Sequence, residues 1–102
     1  MAITQTRIAR IVVEGAVQGV SYRVFVAREA GRLQLDGWVR NRRDGSVETL
    51  VGGPSAAVEE FLIAARRGPG TAAVASHRIE EADEAALREG GGEHGFVVAG
   101  ED

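Results

Sequence analysis

Residues Gly15 to Arg23 read G-A-V-Q-G-V-S-Y-R, wedged between the branched apolar run at Ile11 to Val13 and a segment with helical spacing. Glycine alone tolerates positive φ without a steric penalty, so Gly15 and Gly19 let the chain turn tightly and expose its N–H groups. Arg23 follows in the first turn of the next helix. Backbone donors, a helix N-terminus and a guanidinium converging on one spot form a receptor for a tetrahedral anion such as phosphate.

Upstream of this loop, residues 7–14 (R-I-A-R-I-V-V-E) alternate with Ala9, Ile11 and Val13 on one side, which predicts a strand. Downstream, Tyr22, Phe25, Val26, Ala30 and Leu33 recur at helical spacing, with Ser21 as the expected N-cap. D-G-W-V-R-N-R-R and S-V-E-T-L-V-G then flank Asp44-Gly45, a hairpin signal whose loop length and register the neighbouring Arg42 and Arg43 leave open. Pro54-Ser55 opens a second helix with the stripe Val58, Phe61, Leu62 and Ala65, ending at Arg66, Arg67 and Gly68. A fourth strand is expected around Val74 to Ile79, and a short last one over Phe96 to Ala99. Between them, residues 82–94 carry no strong apolar stripe and read as a loose acidic, Gly-rich loop with at most one helical turn. The order βαββαβ, plus the short C-terminal strand, is that of a ferredoxin-like α/β sandwich of the α+β class. Both helices then lie on one face of an antiparallel sheet.

Composition narrows the function. A chain of 102 residues has room for one domain with a single two-layer core. There is no apolar run long enough to span a bilayer and no secretory signal, so a soluble, cytoplasmic monomer without a membrane partner is expected. Cysteine is absent, which excludes disulfides, thiolate-bound zinc and a cysteine nucleophile. All twelve cationic side chains are arginine, and without lysine neither Schiff-base chemistry nor a Walker loop is available. Residues 1–43 hold eight arginines against three acids, whereas residues 80–102 hold one against eight. The anion-attracting half is therefore the half that contains the loop.

Four blocks taken together, G-A-V-Q-G-V-S-Y-R, G-W-V-R-N at Gly37 to Asn41, D-G-S-V-E at Asp44 to Glu48 and G-P-S-A-A-V-E-E-F at Gly53 to Phe61, resemble the acylphosphatase family in order and spacing. The resemblance runs from about Val13 to Glu81. It implies a small enzyme that hydrolyses acyl phosphates to carboxylate and inorganic phosphate with no cofactor and no metal. Carried over by position, it implies a phosphate cradle made of Gly15, Val17, Gln18, Gly19, Val20, Ser21 and Tyr22, a phosphate-binding Arg23 and a water-positioning Asn41. The chain departs from the family pattern at Gln34, where a glycine is common, at His77 in a strand position that is usually apolar, in the stretch Ala82 to Gly92, and in its last strand.

Each residue also has a plainer reading. Alone, Arg23 is a solvated helix arginine, and Asn41 is a turn residue ahead of Asp44-Gly45. Ser21 as a nucleophile lacks a base, since His77 and His94 fall in a strand and a tail. Those two histidines have no spacing that suits a metal. Trp38 and Tyr22 read as core packing rather than a ligand platform. Arg40, Arg42 and Arg43 read as a solvated strand end, or else as charges that steer anions toward the loop. A nucleic-acid-binding sandwich needs aromatics and basic residues on its exposed strands, whereas aromatics here are 5% of residues and the net charge is −3. An anion-binding module without turnover, or a domain acting on carbamoyl phosphate as in hydrogenase maturation proteins, is the other alternative. The presence of both Arg23 and Asn41 favours activity.

Overall fold

The structure, a computed structural model, describes residues 5–19 and 21–100. In chain order the elements are β1 (Thr6–Ala16), α1 (Tyr22–Arg32), β2 (Asp36–Asn41), β3 (Val47–Pro54), α2 (Ser55–Arg67), β4 (Ala73–Glu81), α3 (Glu84–Glu89) and β5 (Phe96–Val98). The five strands form one sheet in the order β4-β1-β3-β2-β5. The pairs β1–β3, β1–β4 and β2–β3 are antiparallel, while β5 runs parallel to β2.

Strand alternation decides the two faces. Ala9, Ile11 and Val13 of β1, Val39 of β2, and Val47 and Val51 of β3 point to one side, where they are buried against Tyr22, Val26 and Ala30 of α1 and Val58, Phe61, Leu62 and Ala65 of α2. This is the expected sandwich core, and both amphipathic stripes supply it. Tyr22 is core as well: its hydroxyl donates to the Ala65 carbonyl at 2.8 Å, and burial pushes its phenol well above the ordinary range. Trp38 points to the opposite face and is fully buried there.

That opposite face corrects the reading of residues 82–94. They contain α3, N-capped by Asp83, whose Oδ1 accepts from Ala86 N at 3.1 Å. Ala86 and Leu87 pack on Trp38 and Leu50, with Ile8, Ala82 and Ala99 around them. A six-residue helix needs only two apolar side chains to bury its inner face, too few for a periodic stripe to register. The glycines that suggested looseness are packing residues. A Cβ on Gly90 would collide with the Trp38 indole, and one on Gly92 with the backbone of Gly37. Gly91, at φ 76°, ends α3 in a Schellman motif, with Gly91 N donating to Arg88 O at 3.1 Å and Gly92 N to Leu87 O at 2.9 Å.

Helix α1 ends in the same way with a different residue. Gln34 N donates to Gly31 O at 3.2 Å and Leu35 N to Ala30 O at 2.9 Å, so Gln34 takes the left-handed position at φ 57°. A glutamine thus holds the cap position at which the resemblance leads one to expect a glycine. Strand β5 is tied in by Gly95 N, which donates to Asp36 Oδ1 at 2.8 Å, and by Ala99 N, which donates to Val39 O at 2.8 Å.

Candidate functional site

The site lies at the end of the sheet where β1 runs out. Asn41 of β2 pairs with Val47 of β3, and Val47 pairs with Val13 of β1, so the three stand in one row across the strands. Two residues past Val13 and still within β1, the backbone begins its turn toward the loop. Its first turn is forced by Gly15, at φ 130°, beside an irregularity in the β1–β4 pairing between Glu14 and Gly15. A side chain there would strike the Ala73 carbonyl. Val17 N donates back to Gly15 O at 3.0 Å, and the Val17 side chain is buried as the loop's anchor. Gly19, at φ 74°, and Ser21, at φ 66°, complete the reversal. Val20, also expected in the cradle, lies outside the described residues.

Ser21 occupies the N-cap position of α1 but makes no side-chain capping bond. Because the first intrahelical bond is Phe25 N to Ser21 O at 3.0 Å, the N–H groups of Tyr22, Arg23 and Val24 precede the helical ladder. Val17, Gly19, Ser21, Tyr22, Arg23 and Val24 line a concavity of about 210 Å³ at this helix start. Arg23 is half-buried on its wall, and no ion pair within the protein engages it among the described residues. Larger concavities exist on the α3 side of the sheet, but they are lined by mixed acidic and basic side chains and do not include the loop.

Asn41 is the last residue of β2, which five residues, 42–46, connect to β3. Gly45 N donates to Arg42 O at 3.1 Å and Arg42 N to Ser46 O at 2.9 Å, which settles the register that the sequence left open. Asp44 braces the turn by accepting from Ser46 N at 2.9 Å and Ser46 Oγ at 2.5 Å. These bonds, the side-chain one foremost, hold its carboxyl below the ordinary carboxylate range. Strand alternation sends Arg40 to the Trp38 side and Asn41 to the helix side. There the Asn41 side-chain oxygen is buried, with no hydrogen-bond partner among the described residues. A buried amide oxygen left without a protein donor is costly, so it is a place for a ligand or water to donate.

Arg40, partly exposed, is paired within the protein. Its guanidinium lies 4.8 Å over the Trp38 ring, and Nε and Nη2 each reach Glu48 Oε1 at 2.9 Å. Arg10 Nε approaches the other oxygen of Glu48 at 2.9 Å. Glu48 is thus a buried carboxylate between two arginines, a role that its place in an ordinary strand pattern gave no means of reading. Among the described residues no group of three or more His, Cys, Asp or Glu side chains is placed to hold a metal ion. His77 is exposed on the edge strand β4, opposite Val13.

The side chain of Gln18 is engaged outside the concavity. Its Nε2 donates to Arg42 O at 2.7 Å and to Ser46 O at 2.8 Å, so its amide protons point into the hairpin rather than into the concavity.

The acylphosphatase family model matches residues 9–97. An acylphosphatase of Rhodopseudomonas palustris (strain BisB18) is 55% identical over 69 residues, 68% of this chain and 70% of that protein. One from Moorella thermoacetica is 54% identical over 72 residues, 71% of this chain and 77% of the relative. Among solved structures, the acylphosphatase from Bacillus subtilis superposes with a TM-score of 0.79 at 38% identity, covering 93% of this chain and 99% of the other. With a ferredoxin-like sheet, an arginine-walled loop at a helix start and a match spanning nearly the whole described chain, this protein belongs to the acylphosphatase family.

Proposed function

We propose that the chain hydrolyses acyl phosphates at the concavity formed by the Gly15–Tyr22 loop and the start of α1, with Arg23 holding the phosphate and Asn41 positioning the attacking water. The observation that carries this reading is that Arg23 and the first residues of α1 line one concavity, at the end of the sheet that also bears Asn41. The guanidinium grips two phosphate oxygens in a fork, and the backbone donors take others. The Asn41 side-chain oxygen accepts from a water and holds it in line with the scissile bond.

The chemistry asks little more. Water oxygen bonds to phosphorus as the bond from phosphorus to the acyl oxygen breaks, and the electron pair leaves with the carboxylate. That carboxylate has a conjugate-acid pKa of roughly 4 to 5, comparable to a Glu side chain, so no general acid is required. The water proton passes to a phosphate oxygen. Placement and charge then supply the rate, a single well-placed donor being worth about 3 to 4 kcal/mol. In this reading the protein works without a metal, as a cytoplasmic, single-domain monomer. No helix of the described residues is long and apolar enough to cross a membrane.

The test is phosphate release from acetyl phosphate, benzoyl phosphate and a phosphate monoester, each with and without EDTA. Turnover of both acyl phosphates, unchanged by chelation, is expected. The monoester should be a poor substrate, because its alkoxide leaving group needs an acid the loop does not offer. Loss of activity on chelation, restored by a divalent ion, would overturn the metal-free mechanism.

A further inference from the structure

We infer that Gln18 is a positioning residue that sets where Asn41 stands relative to the phosphate cradle, rather than a phosphate ligand. The inference rests on the reading of Arg23 and Asn41 given above. An amide nitrogen has two protons, and in Gln18 both are spent, on Arg42 O and Ser46 O, residues 24 and 28 further along the chain. Neither carbonyl is idle, since Arg42 O also accepts from Gly45 N and Ser46 O from Arg42 N. Each carbonyl has two lone pairs, so Gln18 completes the hydrogen bonding of the turn instead of competing with it.

The two acceptors flank the pair of strand positions that includes Asn41. Arg42 follows Asn41, Ser46 precedes Val47, and Asn41 and Val47 stand opposite each other. One side chain from the middle of the cradle therefore holds both ends of the hairpin at the level of Asn41. The side chain is half-buried, where a lost bond is not simply replaced by bulk water. Among the described residues the Gln18 side chain donates to the hairpin and not to Arg23. Removal of this link should let the water shift against a phosphate that is still bound, and a misplacement of about 1 Å costs roughly 100-fold in rate.

The experiment compares wild type with Gln18→Met, similar in length but without donors, and Gln18→Glu, the same shape with acceptors only. Turnover of acetyl phosphate and calorimetric affinity for inorganic phosphate are measured, each also in an Asn41→Ala background. The expected result is a roughly 10- to 100-fold fall in kcat for both single variants, with phosphate affinity within about threefold of wild type. In the Asn41→Ala background the same changes should cost little further, because Gln18 acts through Asn41. Losses that multiply across the two positions, or a loss of phosphate affinity as deep as that of Arg23→Ala, would overturn the inference. Amide hydrogen exchange at Arg42 and Gly45 gives a reading independent of turnover and should accelerate in Gln18→Met. Unchanged exchange there would also overturn it. Absence of turnover in wild type with faster exchange in the variant would instead count against the catalytic reading and leave the clamp in place.

Discussion

The indole N–H of Trp38 donates to the carbonyl of Ala86 at 2.8 Å, joining the sheet to α3 on the side away from the two long helices. Leu87 packs in the same cluster and is almost fully buried. Leu87→Ala should therefore destabilise the fold by about 2 to 3 kcal/mol, the cost of a buried leucine truncated to a methyl group. For a domain of this size that lowers Tm by roughly 8 to 24 °C. Because α3 and the site lie on opposite faces, kcat at a temperature where the variant is folded should stay near wild type. Thermal melts beside turnover check both halves.

Gln34→Gly should stabilise the protein. A side chain in the left-handed region costs about 1 to 2 kcal/mol, and glycine gives back about 0.5 to 1 through its freer unfolded state. The net gain is about 0.5 to 1 kcal/mol, readable as a shift in the urea midpoint with unchanged slope. No gain would mean that Gln34 is held by something other than the Schellman bonds.

These two positions show what the sequence could and could not convey. The helices and the first four strands were legible because Ile11, Val13, Phe61 and Leu62 repeat at the periods that burial on one face demands. The stretch around α3 was not, since its burial rests on Ala86, Leu87 and the contact of Gly90 with an aromatic ring more than fifty residues upstream. Arg23 and Asn41 could be singled out by their motifs. That both amide protons of Gln18 face the hairpin could not, because a loop glutamine is equally able to bind a ligand. The parallel placement of β5 likewise depends on a pairing with β2 that no local pattern encodes.

Arg23→Ala should lose turnover by more than roughly 100-fold and lose phosphate affinity with it, because the fork acts on ground and transition states alike. Arg23→Lys should recover little, as an ammonium cannot supply two parallel donors. Phosphate should raise the Tm of wild type by mass action and fail to do so for Arg23→Ala. Equal stabilisation of the two proteins would place the anion elsewhere.

Asn41→Ala should lose most turnover, on the order of 100-fold, while phosphate still binds and stabilises the fold. Calorimetry beside kinetics decides the role. Near-normal turnover, or a loss of phosphate affinity matching that of Arg23→Ala, would contradict a water-positioning function.

The hairpin should carry an acid-sensitive contribution to stability. Asp44 has its carboxyl pKa held below the ordinary 3.8 by Ser46. Stability from that brace is full above the unfolded value and is lost as pH falls through the depressed folded value. Wild type should thus exceed Asp44→Ala in stability near neutral pH, and the two should converge as the pH drops below about 3.8. A difference that persists unchanged to low pH would show that the carboxylate is not its source.

Strand β2 gains its two neighbours in very different ways. The tight turn brings β3 alongside at once, whereas β5 must return across the 59 residues that separate Asp36 from Gly95. Closing so long a loop is slow compared with forming a hairpin. During refolding, helix content and the helix-side core can be regained while β2 is still an open edge, vulnerable to pairing with another chain. The strand that bears Asn41 is therefore enclosed late, so catalytic competence should return with the slowest folding phase rather than with the first burst of secondary structure.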